Sequence, residues 1–377
     1  MRIGYVLDKF PKTSETFIYN EVEGLSKKNN LTIFSIEDVS GEGPNDLDVQ
    51  YGNKFYKQGL KGIGSIIKGD LINRSILEAY YKMIAGRFKK HRSDLEVLHR
   101  HFPTNSVVYY LAKELEIPYT ATTHARDIFS KERYVNLKNL LEGSERVVTI
   151  SDYNKNYLMD EFNITSDKIT RIHMGIDPEK FSPSPPDQDI TNILTVARLV
   201  EKKGIRYGVR AISHLIERYP RLEYNIIGDG PLKKELKNLI EDYGMENKIN
   251  LLGRVSEENL LDEYEKADIF LLPCVIARDG DRDGIPVVLM EAMAMEKIVI
   301  STDVSGIPEL IDDGRNGIIV EPKRSEEITQ NIERILEGEI DIKSMCRNAR
   351  DKVCKDFHID NQIEDMEEIF QEVVSRG

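Results

Sequence analysis

Predicted strands and helices alternate along most of this chain, and that alternation constrains the fold more than any other feature of the sequence. In the first half, strands are predicted at RIGYVL (2–7), LTIFSI (31–36), LEVLHRHF (95–102), PYTATTHA (118–125) and RVVTIS (146–151). Helical segments lie between them. Strands separated by helices at this spacing predict βαβ units and a parallel sheet.

The alternation is interrupted once, near residue 180, and then restarts. The interruption is PEKFSPSPPDQDI, whose proline density is incompatible with the interior of a strand or helix. Further strands are predicted at 192–200, 222–231, 248–255, 268–275, 297–304 and 316–322. At 377 residues the chain also exceeds the size at which one core keeps growing. We therefore predict an α/β protein of two Rossmann-like, doubly wound parallel-sheet domains, 1–180 and 181–357, with a helix over 358–377.

Composition restricts the class of protein. The chain has 40% hydrophobic and 31% charged residues, as in soluble globular proteins. Its net charge of −13 argues against nucleic acid as a partner. Three cysteines without ligand or disulfide spacing indicate a reducing compartment. MRIGYVLDKF is a first strand rather than a secretion signal, and no apolar run approaches the ~18 residues of a membrane span. These features predict a cytoplasmic protein.

Residues 54–92 form a basic window in this acidic chain, with ten Lys and Arg against two acids. Apolar residues recur there at intervals of three and four, which predicts one or two amphipathic helices. A basic amphipathic helix can bind an anionic membrane surface, which would place the protein at the inner face of the cell membrane. The alternative is a surface helix that packs on the N-terminal domain and keeps its lysines in water.

The first strand lacks the phosphate loop of a dinucleotide-binding enzyme. RIGYVL is followed by DKFPKTSETF, which contains no GxGxxG. A dinucleotide pyrophosphate would therefore have no tight glycine turn to approach. This argues against a nicotinamide enzyme, although two Rossmann-like domains first suggest one.

The second domain offers a better anion site at the ends of its first two strands. Arg198 and Lys203 lie on one strand-to-helix loop, where they would present two positive charges to a diphosphate. Gly228 and Gly230, in the turn GDGP, would let the backbone approach a ligand closely. The alternative is that the two cations are ordinary loop charges and that GDGP is a common strand-to-helix turn.

The stretch RDGDRDGIPVVLMEAMA (278–294) has acids at both ends of an apolar run. Gly284, Ile285 and Pro286 are predicted to start a helix, whose free N–H groups favour an anion. Asp283 precedes this helix and Glu291 falls in its second turn. Both carboxylates could therefore accept hydrogen bonds from the hydroxyl groups of a nucleotide sugar. The alternative is that Asp283 caps a buried helix and that Glu291 is its first solvated turn.

Together these motifs resemble the retaining glycosyltransferases of the GT-B fold, family 4 (glycosyl transferases group 1). Asp283-x7-Glu291 is similar to the family's Glu-x7-Glu motif, LTVARLVEKKG to its Arg–Lys diphosphate loop, and NIIGDGP to its glycine turn. LLGRVSEENLLDEYEKADIFLLPC, VSGIPELIDDGRNGIIVEP and IHMGIDPEKF also match, in the family's order. FPKTSETFIYNEV and THARDIF resemble the branch that builds extracellular or lipid-linked polysaccharides.

The resemblance implies a role for each matching residue. Glu291 would bind the ribose hydroxyls of the donor, and Asp283 would contact the hydroxyls of its sugar. Arg198 and Lys203 would neutralise the leaving diphosphate. His124 would face the donor sugar from the N-terminal domain, where the alternative is a structural histidine. The implied catalytic residues are Asp283, His124, Arg198 and Lys203, and the implied substrate-binding residues are Glu291, Gly284, Ile285, Pro286, Val287, Gly228, Gly230, Arg254 and Val255.

The resemblance also implies the reaction. A sugar would move from a nucleotide-diphosphate sugar to a hydroxyl of a lipid-linked or polysaccharide acceptor, with retention of anomeric configuration. As in the family, the last helix would cross back to the N-terminal domain. Polar residues between two hinged domains also predict that the cleft closes on the donor. We expect no cofactor and no required divalent metal, because the diphosphate site is already cationic.

Two positions depart from the family pattern. Asp283 replaces the more usual Glu, and its shorter side chain leaves the identity of the donor open. Ser305 stands where a second glycine often precedes Gly306. Two other functions stay open: a glycosyltransferase with a small soluble acceptor, and a non-catalytic protein that binds nucleotide sugars.

Overall fold

Two parallel β-sheets flanked by helices form the protein, as the alternation predicted, and we describe them from a computed structural model. The structure describes residues 1–11, 16–37, 47–51, 74–89, 94–103, 105–129, 137–186 and 189–376. The first sheet uses strands up to residue 171, and the second begins at residue 192.

The N-terminal sheet has, within the described residues, seven parallel strands in the order β3-β2-β1-β4-β5-β6-β7. They are β1 (Arg2–Leu7), β2 (Asn30–Ser35), β3 (Asp48–Tyr51), β4 (Val97–His101), β5 (Tyr119–Thr123), β6 (Arg146–Thr149) and β7 (Ile169–Arg171). The described helices are α1 (Thr16–Ser26), α2 (Arg74–Lys89), α3 (Val107–Leu115), α4 (Ala125–Phe129), α5 (Leu137–Gly143) and α6 (Asp152–Phe162). The sequence analysis missed β3 and β7, because such short edge strands do not establish a period.

The C-terminal sheet has six parallel strands within residues 189–376, in the order β10-β9-β8-β11-β12-β13. They are β8 (Asn192–Val196), β9 (Glu223–Ile227), β10 (Ile249–Gly253), β11 (Ile269–Leu271), β12 (Ile298–Thr302) and β13 (Ile318–Val320). The helices are α7 (Ile205–Arg218), α8 (Lys233–Asp242), α9 (Glu257–Lys266), α10 (Val287–Ala294), α11 (Ile307–Leu310), α12 (Ser325–Leu336) and α13 (Ile342–Asp356). All six strands were predicted, because parallel strands buried on both faces form continuous apolar runs.

The strand order of each sheet reverses at one point, between β1 and β4 in the first sheet and between β8 and β11 in the second. Chain connections diverge there and open a crevice at the carboxyl ends of the strands, where open α/β sheets bind ligands. Arg198 and Lys203 follow β8, and Asp283 follows β11. The fold therefore places three of the predicted site residues at one crevice.

The last helix, α14 (Ile359–Arg376), packs on the N-terminal sheet although it follows the C-terminal domain in sequence. It shares a core with β1 and α1 through Ile363, Met366, Ile369, Phe370 and Val373. The side chain of Gln362 also joins Glu21 of α1 to the backbone of Gly175, which lies between the two sheets. This helix therefore connects the first helix to the segment between the domains.

Only part of the basic window 54–92 falls within the described residues, as helix α2. Its Ile84, Ala85 and Phe88 are buried in the core of the N-terminal domain. These apolar side chains are therefore unavailable to a membrane, in line with the alternative of a packed surface helix. Residues 54–73 and 90–92 lie outside the described residues. No described helix has the length and apolar character that a membrane crossing needs.

Candidate active site

Lys203 and Asp283, on the two loops of the C-terminal crevice, form an ion pair. Nζ of Lys203 lies 2.7 Å from Oδ2 of Asp283, and the side chains are only 12% and 14% exposed. Burial favours neutral Asp283, but the charges of Lys203 and Lys202 outweigh it and lower the pKa of Asp283 to about 2. Burial would lower the pKa of Lys203, but the charge of Asp283 outweighs it and raises that pKa. Both groups are therefore charged at neutral pH.

Arg198 is the exposed cation of the same loop. Its guanidinium makes no hydrogen bond or ion pair with any described residue. Its charge is close enough to lower the pKa of Lys203. A lysine ammonium has three N–H donors, so Lys203 can bind Asp283 and a phosphate oxygen together. The predicted anion site therefore contains one exposed cation and a second that is shared with a carboxylate.

Lys202, which the sequence analysis did not single out, holds the acidic loop in place. Its Nζ lies 3.1 Å from Asp281 Oδ1 and 3.5 Å from Asp283 Oδ1. It also donates to the carbonyl oxygen of Arg282 at 3.4 Å. A lysine this buried is rarely without such partners. In the sequence, the signal that could have identified Lys202 was the pair of adjacent lysines in EKKG.

Gly228 and Gly230 allow the turn after β9 to approach the Arg198 loop closely. A Cβ at Gly228, which has φ 137°, would lie 1.9 Å from the carbonyl oxygen of Ala197. A Cβ at Gly230 would lie 2.5 Å from that of Leu199. In the described structure, these glycines therefore allow the turn after β9 to approach the loop after β8, whereas the sequence analysis expected them to approach a ligand. Any side chain at either position would displace the loop that carries Arg198.

The helix after Asp283 begins at Val287, slightly later than predicted. Pro286 is the extended N-cap residue rather than part of the first turn, and no side chain caps the helix. Asp283 therefore does not act as a helix cap, because its carboxylate binds Lys203 instead. Glu291 falls in the second turn, as predicted.

Gly284 and Ile285, between Asp283 and the helix, are both buried, Ile285 in the core of the C-terminal domain and Gly284 against the N-terminal domain. A Cβ at Gly284 would lie 2.7 Å from Ile150 Cδ1 and 3.7 Å from Cβ of Ala125. Ala125 directly follows His124. The segment next to Asp283 therefore packs against the segment next to His124, so two candidate residues from different domains come close together.

Glu291 is half-buried, and its Oε2 accepts a hydrogen bond from the hydroxyl of Tyr264 at 2.8 Å. Burial raises the pKa of Glu291 and outweighs the opposing effect of that hydrogen bond. Its Oε1 makes no hydrogen bond with a described residue. Glu291 is therefore a fixed carboxyl group with one oxygen left for a ligand, rather than part of a solvated turn.

The remaining C-terminal positions lie on loops at the carboxyl ends of other strands. Arg254 and Val255 follow β10, where Arg254 is exposed and Val255 packs on the domain core. Ser305 follows β12 with φ 57°, a left-handed conformation that favours glycine. This explains why a glycine at that position would be natural, and why a serine there is a departure.

His124 follows β5 and is buried at the carboxyl edge of the N-terminal sheet. Its Nε2 lies 3.0 Å from Nδ1 of His101, and Nε2 of His101 lies 2.8 Å from Oε1 of Glu21. Burial lowers the pKa of His124 and the charge of His101 lowers it further, so His124 is neutral at neutral pH. The sequence analysis missed His101 and Glu21. In the sequence, the signal that could have identified His101 was its spacing of two residues from His99, which puts both side chains on one face of β4.

The loop that carries Asp283 also contacts the N-terminal domain. The guanidinium of Arg282 lies over the ring of Phe129, 4.5 Å from its centroid, and donates to the hydroxyl of Tyr153 at 2.8 Å. Nearby, the carboxylate of Glu309 accepts from the backbone N–H groups of Asp152 and Tyr153, both at 2.9 Å. The acidic loop is therefore held by both domains.

Comparison of the chain with known proteins identifies its family. A family model described as Glycosyltransferase Family 4 matches residues 14–180, and one described as Glycosyl transferases group 1 matches residues 177–352. Together they run through both sheets. The chain belongs to the family 4 glycosyltransferases. It is therefore a transferase enzyme, as the ordered motifs predicted.

Relatives of this glycosyltransferase include proteins named for polysaccharide biosynthesis. It is 29% identical over 397 residues to the protein named as colanic acid biosynthesis glycosyltransferase WcaL of Escherichia coli K12, which covers 95% of this chain and 96% of the relative. It is 40% identical to the amylovoran biosynthesis glycosyltransferase AmsK of Erwinia amylovora, over 51% of this chain and 48% of the relative.

Solved structures of similar proteins confirm the predicted GT-B fold. A glycosyltransferase from Rickettsia africae matches with a TM-score of 0.77 at 21% identity, over 100% of this chain and 99% of that chain. HepE of Anabaena in complex with UDP matches with a TM-score of 0.74 at 16% identity, over 99% of this chain and 100% of that chain. At these identities the likeness shows the fold alone.

Proposed function

We propose that this glycosyltransferase moves a sugar from a nucleoside-diphosphate sugar to a hydroxyl of a lipid-linked or polysaccharide acceptor, with retention of anomeric configuration and without a metal ion. The observation that carries the proposal is the meeting of Arg198, Lys203 and Asp283 at the switch point of the C-terminal sheet, with the Asp283 loop packed against the His124 segment. HepE, which was solved with UDP, supports a nucleotide as the ligand.

The charges of this crevice suit the transfer. When the bond between the anomeric carbon and the diphosphate breaks, negative charge grows on the leaving phosphate and the sugar becomes oxocarbenium-like. Arg198 and Lys203 stabilise that phosphate, since preorganised donors act strongly at a site with little water. Ionised Asp283 and neutral His124 orient the hydroxyls of the sugar. Glu291 binds the ribose with its free oxygen.

The proposed metal independence is supported by the way in which lysines already neutralise the acidic loop. Of the aspartates in DGDRD, Asp281 and Asp283 bind Lys202 and Lys203, so neither is left as a free carboxylate for a cation. Asp279 is exposed and accepts from the backbone N–H of Asp281 at 2.9 Å. The positive charge that a metal would bring to the diphosphate is supplied by Arg198 and Lys203.

Relatives named for colanic acid and amylovoran biosynthesis support an acceptor that is a growing polysaccharide or its lipid-linked precursor. Such an acceptor would place the enzyme in the cytoplasm, peripherally at the inner face of the cell membrane. Because the apolar side of α2 is buried, contact with a membrane would depend on the charged and exposed parts of the window 54–92. A small soluble acceptor remains the alternative, as does binding of nucleotide sugars without catalysis.

The test is a thermal-shift screen of UDP-, GDP- and ADP-sugars, followed by a nucleotide-release assay with EDTA present. We expect one donor class to raise the unfolding temperature and to release nucleotide. Proton NMR of the early product should show the anomer of the donor, and an inverted product would contradict retention. Stabilisation without release, across lipid and oligosaccharide acceptors, would favour the non-catalytic alternative. Failure to co-sediment with anionic vesicles would favour a soluble acceptor.

Glu291→Ala is expected to weaken binding of the free nucleotide about tenfold or more. A hydrogen bond to a charged group contributes about 1.5–3 kcal/mol, and the free oxygen of Glu291 is assigned to the ribose. Titration calorimetry with the nucleoside diphosphate of the identified donor checks this. Tyr264→Phe is the matched control, because it removes only the hydroxyl that donates to Oε2 of Glu291 and keeps the carboxylate. Wild-type affinity in Glu291→Ala would show that the ribose binds elsewhere.

A further inference from the structure

A buried carboxylate lies behind His124 and is fully hydrogen-bonded. Oε1 of Glu21 accepts from Nε2 of His101 and from the hydroxyl of Tyr5, both at 2.8 Å. Oε2 accepts from the amide of Gln362 at 2.6 Å. Burial opposes ionisation of Glu21, but the charge and hydrogen bond of His101 outweigh it and lower the pKa of Glu21 to about 2. Glu21 is therefore an ionised group inside the N-terminal domain.

A carboxylate this deeply buried requires a cation beside it. His99 and His124 do not supply one, because burial lowers the pKa of both, to about 3 in His99. Within the described parts of the chain, His101 is the basic residue in ion-pair contact with Glu21. If His101 supplies the charge that balances Glu21, its ring is an imidazolium with a proton on each nitrogen.

A charged His101 would determine where the proton of His124 lies. An imidazolium carries N–H groups on both ring nitrogens. In His101 the Nε2–H points to Glu21, and the Nδ1–H faces Nε2 of His124 at 3.0 Å. Nε2 of His124 must then be the acceptor, which leaves its single proton on Nδ1. That Nδ1 makes no hydrogen bond with a described residue.

We propose that His101 is a positively charged positioning residue that, paired with Glu21, holds His124 in its Nδ1–H tautomer and makes Nδ1 a hydrogen-bond donor to the sugar of the donor substrate. The proposal rests on the proposed function in one respect, which is that the ligand of His124 is the sugar of the donor substrate. The proton arrangement itself follows from the Glu21–His101 pair.

The same cluster contains residues that could bind a metal, but hydrogen bonds already account for it. Ligand atoms of Glu21, His99 and His101 lie within 4.8 Å of one another. Both ring nitrogens of His99 are paired with hydroxyls, Nδ1 with Thr120 at 2.8 Å and Nε2 with Thr122 at 3.1 Å. Both ring nitrogens of His101 are paired as well. A buried cluster without a free ligand atom is a proton-positioning network rather than a metal site.

The test is the protonation of the histidine rings in the full-length protein, labelled with 15N-histidine. Long-range 15N–1H NMR spectra distinguish a protonated Nδ1 from a protonated Nε2. Seven histidines are present, and the variants His124→Gln and His101→Phe assign the two signals of interest. At neutral pH we expect His124 to be protonated on Nδ1 and His101 on both nitrogens. A His124 ring protonated on Nε2 would overturn the proposal.

Glu21→Gln provides a second variant that removes the charge but keeps an oxygen for His101. Without the carboxylate we expect a neutral His101, which keeps its proton on Nε2 and accepts at Nδ1. His124 should then switch to the Nε2–H tautomer. An unchanged tautomer of His124 in Glu21→Gln would contradict the proposal, and this readout requires no substrate.

Kinetics with the identified donor link the proton to catalysis. We expect His101→Phe to lower kcat roughly 10- to 100-fold, the usual cost of removing a partner that orients a working histidine. KM for the donor should change less, because the phosphate and ribose contacts lie in the other domain. The matched control is His99→Phe, which removes a buried imidazole that pairs with Thr120 and Thr122 instead of His124, and which should leave kcat unchanged.

The outcomes separate this proposal from the proposed function. Wild-type kcat in a folded His101→Phe or His124→Gln enzyme would overturn the positioning role. Absence of nucleotide release by the wild-type protein would instead contradict the proposed function, while the NMR spectra would still decide the protonation of His124.

Discussion

Lys203→Ala is expected to lower kcat/KM for the sugar donor by about 100- to 1,000-fold, the usual effect of removing one preorganised donor from developing negative charge. Lys203 sits at the switch point of the C-terminal sheet, and the charge of Asp283 keeps it protonated despite burial. Its loss removes half of the positive charge assigned to the diphosphate. Steady-state nucleotide release at several donor concentrations measures the effect.

The same substitution also has a consequence for stability. It leaves Asp283 with Lys202, at 3.5 Å, as its remaining cation. Breaking a buried pair costs about 3 kcal/mol or more when the remaining charge has no partner, so with Lys202 still beside Asp283 we expect a smaller loss of stability. The pKa of Asp283 is lowered to about 2 in the folded protein. The pair therefore stabilises the protein fully above the unfolded pKa of Asp283, and this contribution is lost as the pH falls through the folded pKa. Urea unfolding should therefore separate variant from wild type at neutral pH and less in acid.

Lys237→Ala is the control for Lys203→Ala. Lys237 lies on α8 with a side chain 71% exposed, so its loss should change neither kcat/KM nor stability appreciably. If Lys203→Ala retained wild-type kcat/KM, the charge of the leaving phosphate would have to be stabilised by other residues.

Truncation after Asp356 is expected to unfold the N-terminal domain. The six core residues of α14, Ile359 to Val373, are each worth about 1.5–3 kcal/mol of burial, and together this approaches the whole stability of a typical domain. The truncation also removes Phe357, which is buried in the core of the C-terminal domain, so we expect that domain to be weakened too. Urea unfolding followed by circular dichroism checks both effects.

Two point variants of α14 calibrate the truncation. Phe370→Ala removes the single aromatic ring of the helix, which is fully buried, and should cost about 3–5 kcal/mol. Glu368→Ala alters an exposed position on the same helix and should change stability by less than about 0.5 kcal/mol. Two domains that unfold independently with wild-type stability after truncation would contradict the structural role of α14.

Much of the fold could be predicted because its signals are local. The buried strands β8 to β13 are apolar runs between glycine- and proline-containing turns, so their positions along the chain could be predicted from short sequence windows. Strands β3 and β7 could not, because each offers only a few residues at the edge of the sheet. For α2, periodicity predicted an amphipathic helix but not whether a core or a membrane covers its apolar side.

The candidate site shows the same division. Ordered motifs predicted that Arg198, Lys203 and Asp283 belong to one site, and the strand order brings their loops together. The motifs assigned Lys203 to the phosphate and Asp283 to the sugar, whereas the structure shows that the two side chains bind each other. Lys202 and His101 were missed, because their roles depend on neighbours that are distant in the chain.

From the sequence alone came the two α/β domains, the family and the candidate residues of the donor site, because each is encoded by local periodicity or by a motif on one loop. The tertiary structure decided which charges pair, which histidine rings meet behind the site and where the last helix packs. Glu21 and Gln362 are 341 positions apart and 2.6 Å from each other in space. Contacts of this kind depend on distances that the folded chain creates, and electrostatic and hydrogen-bond energies depend on distance in space rather than position in sequence.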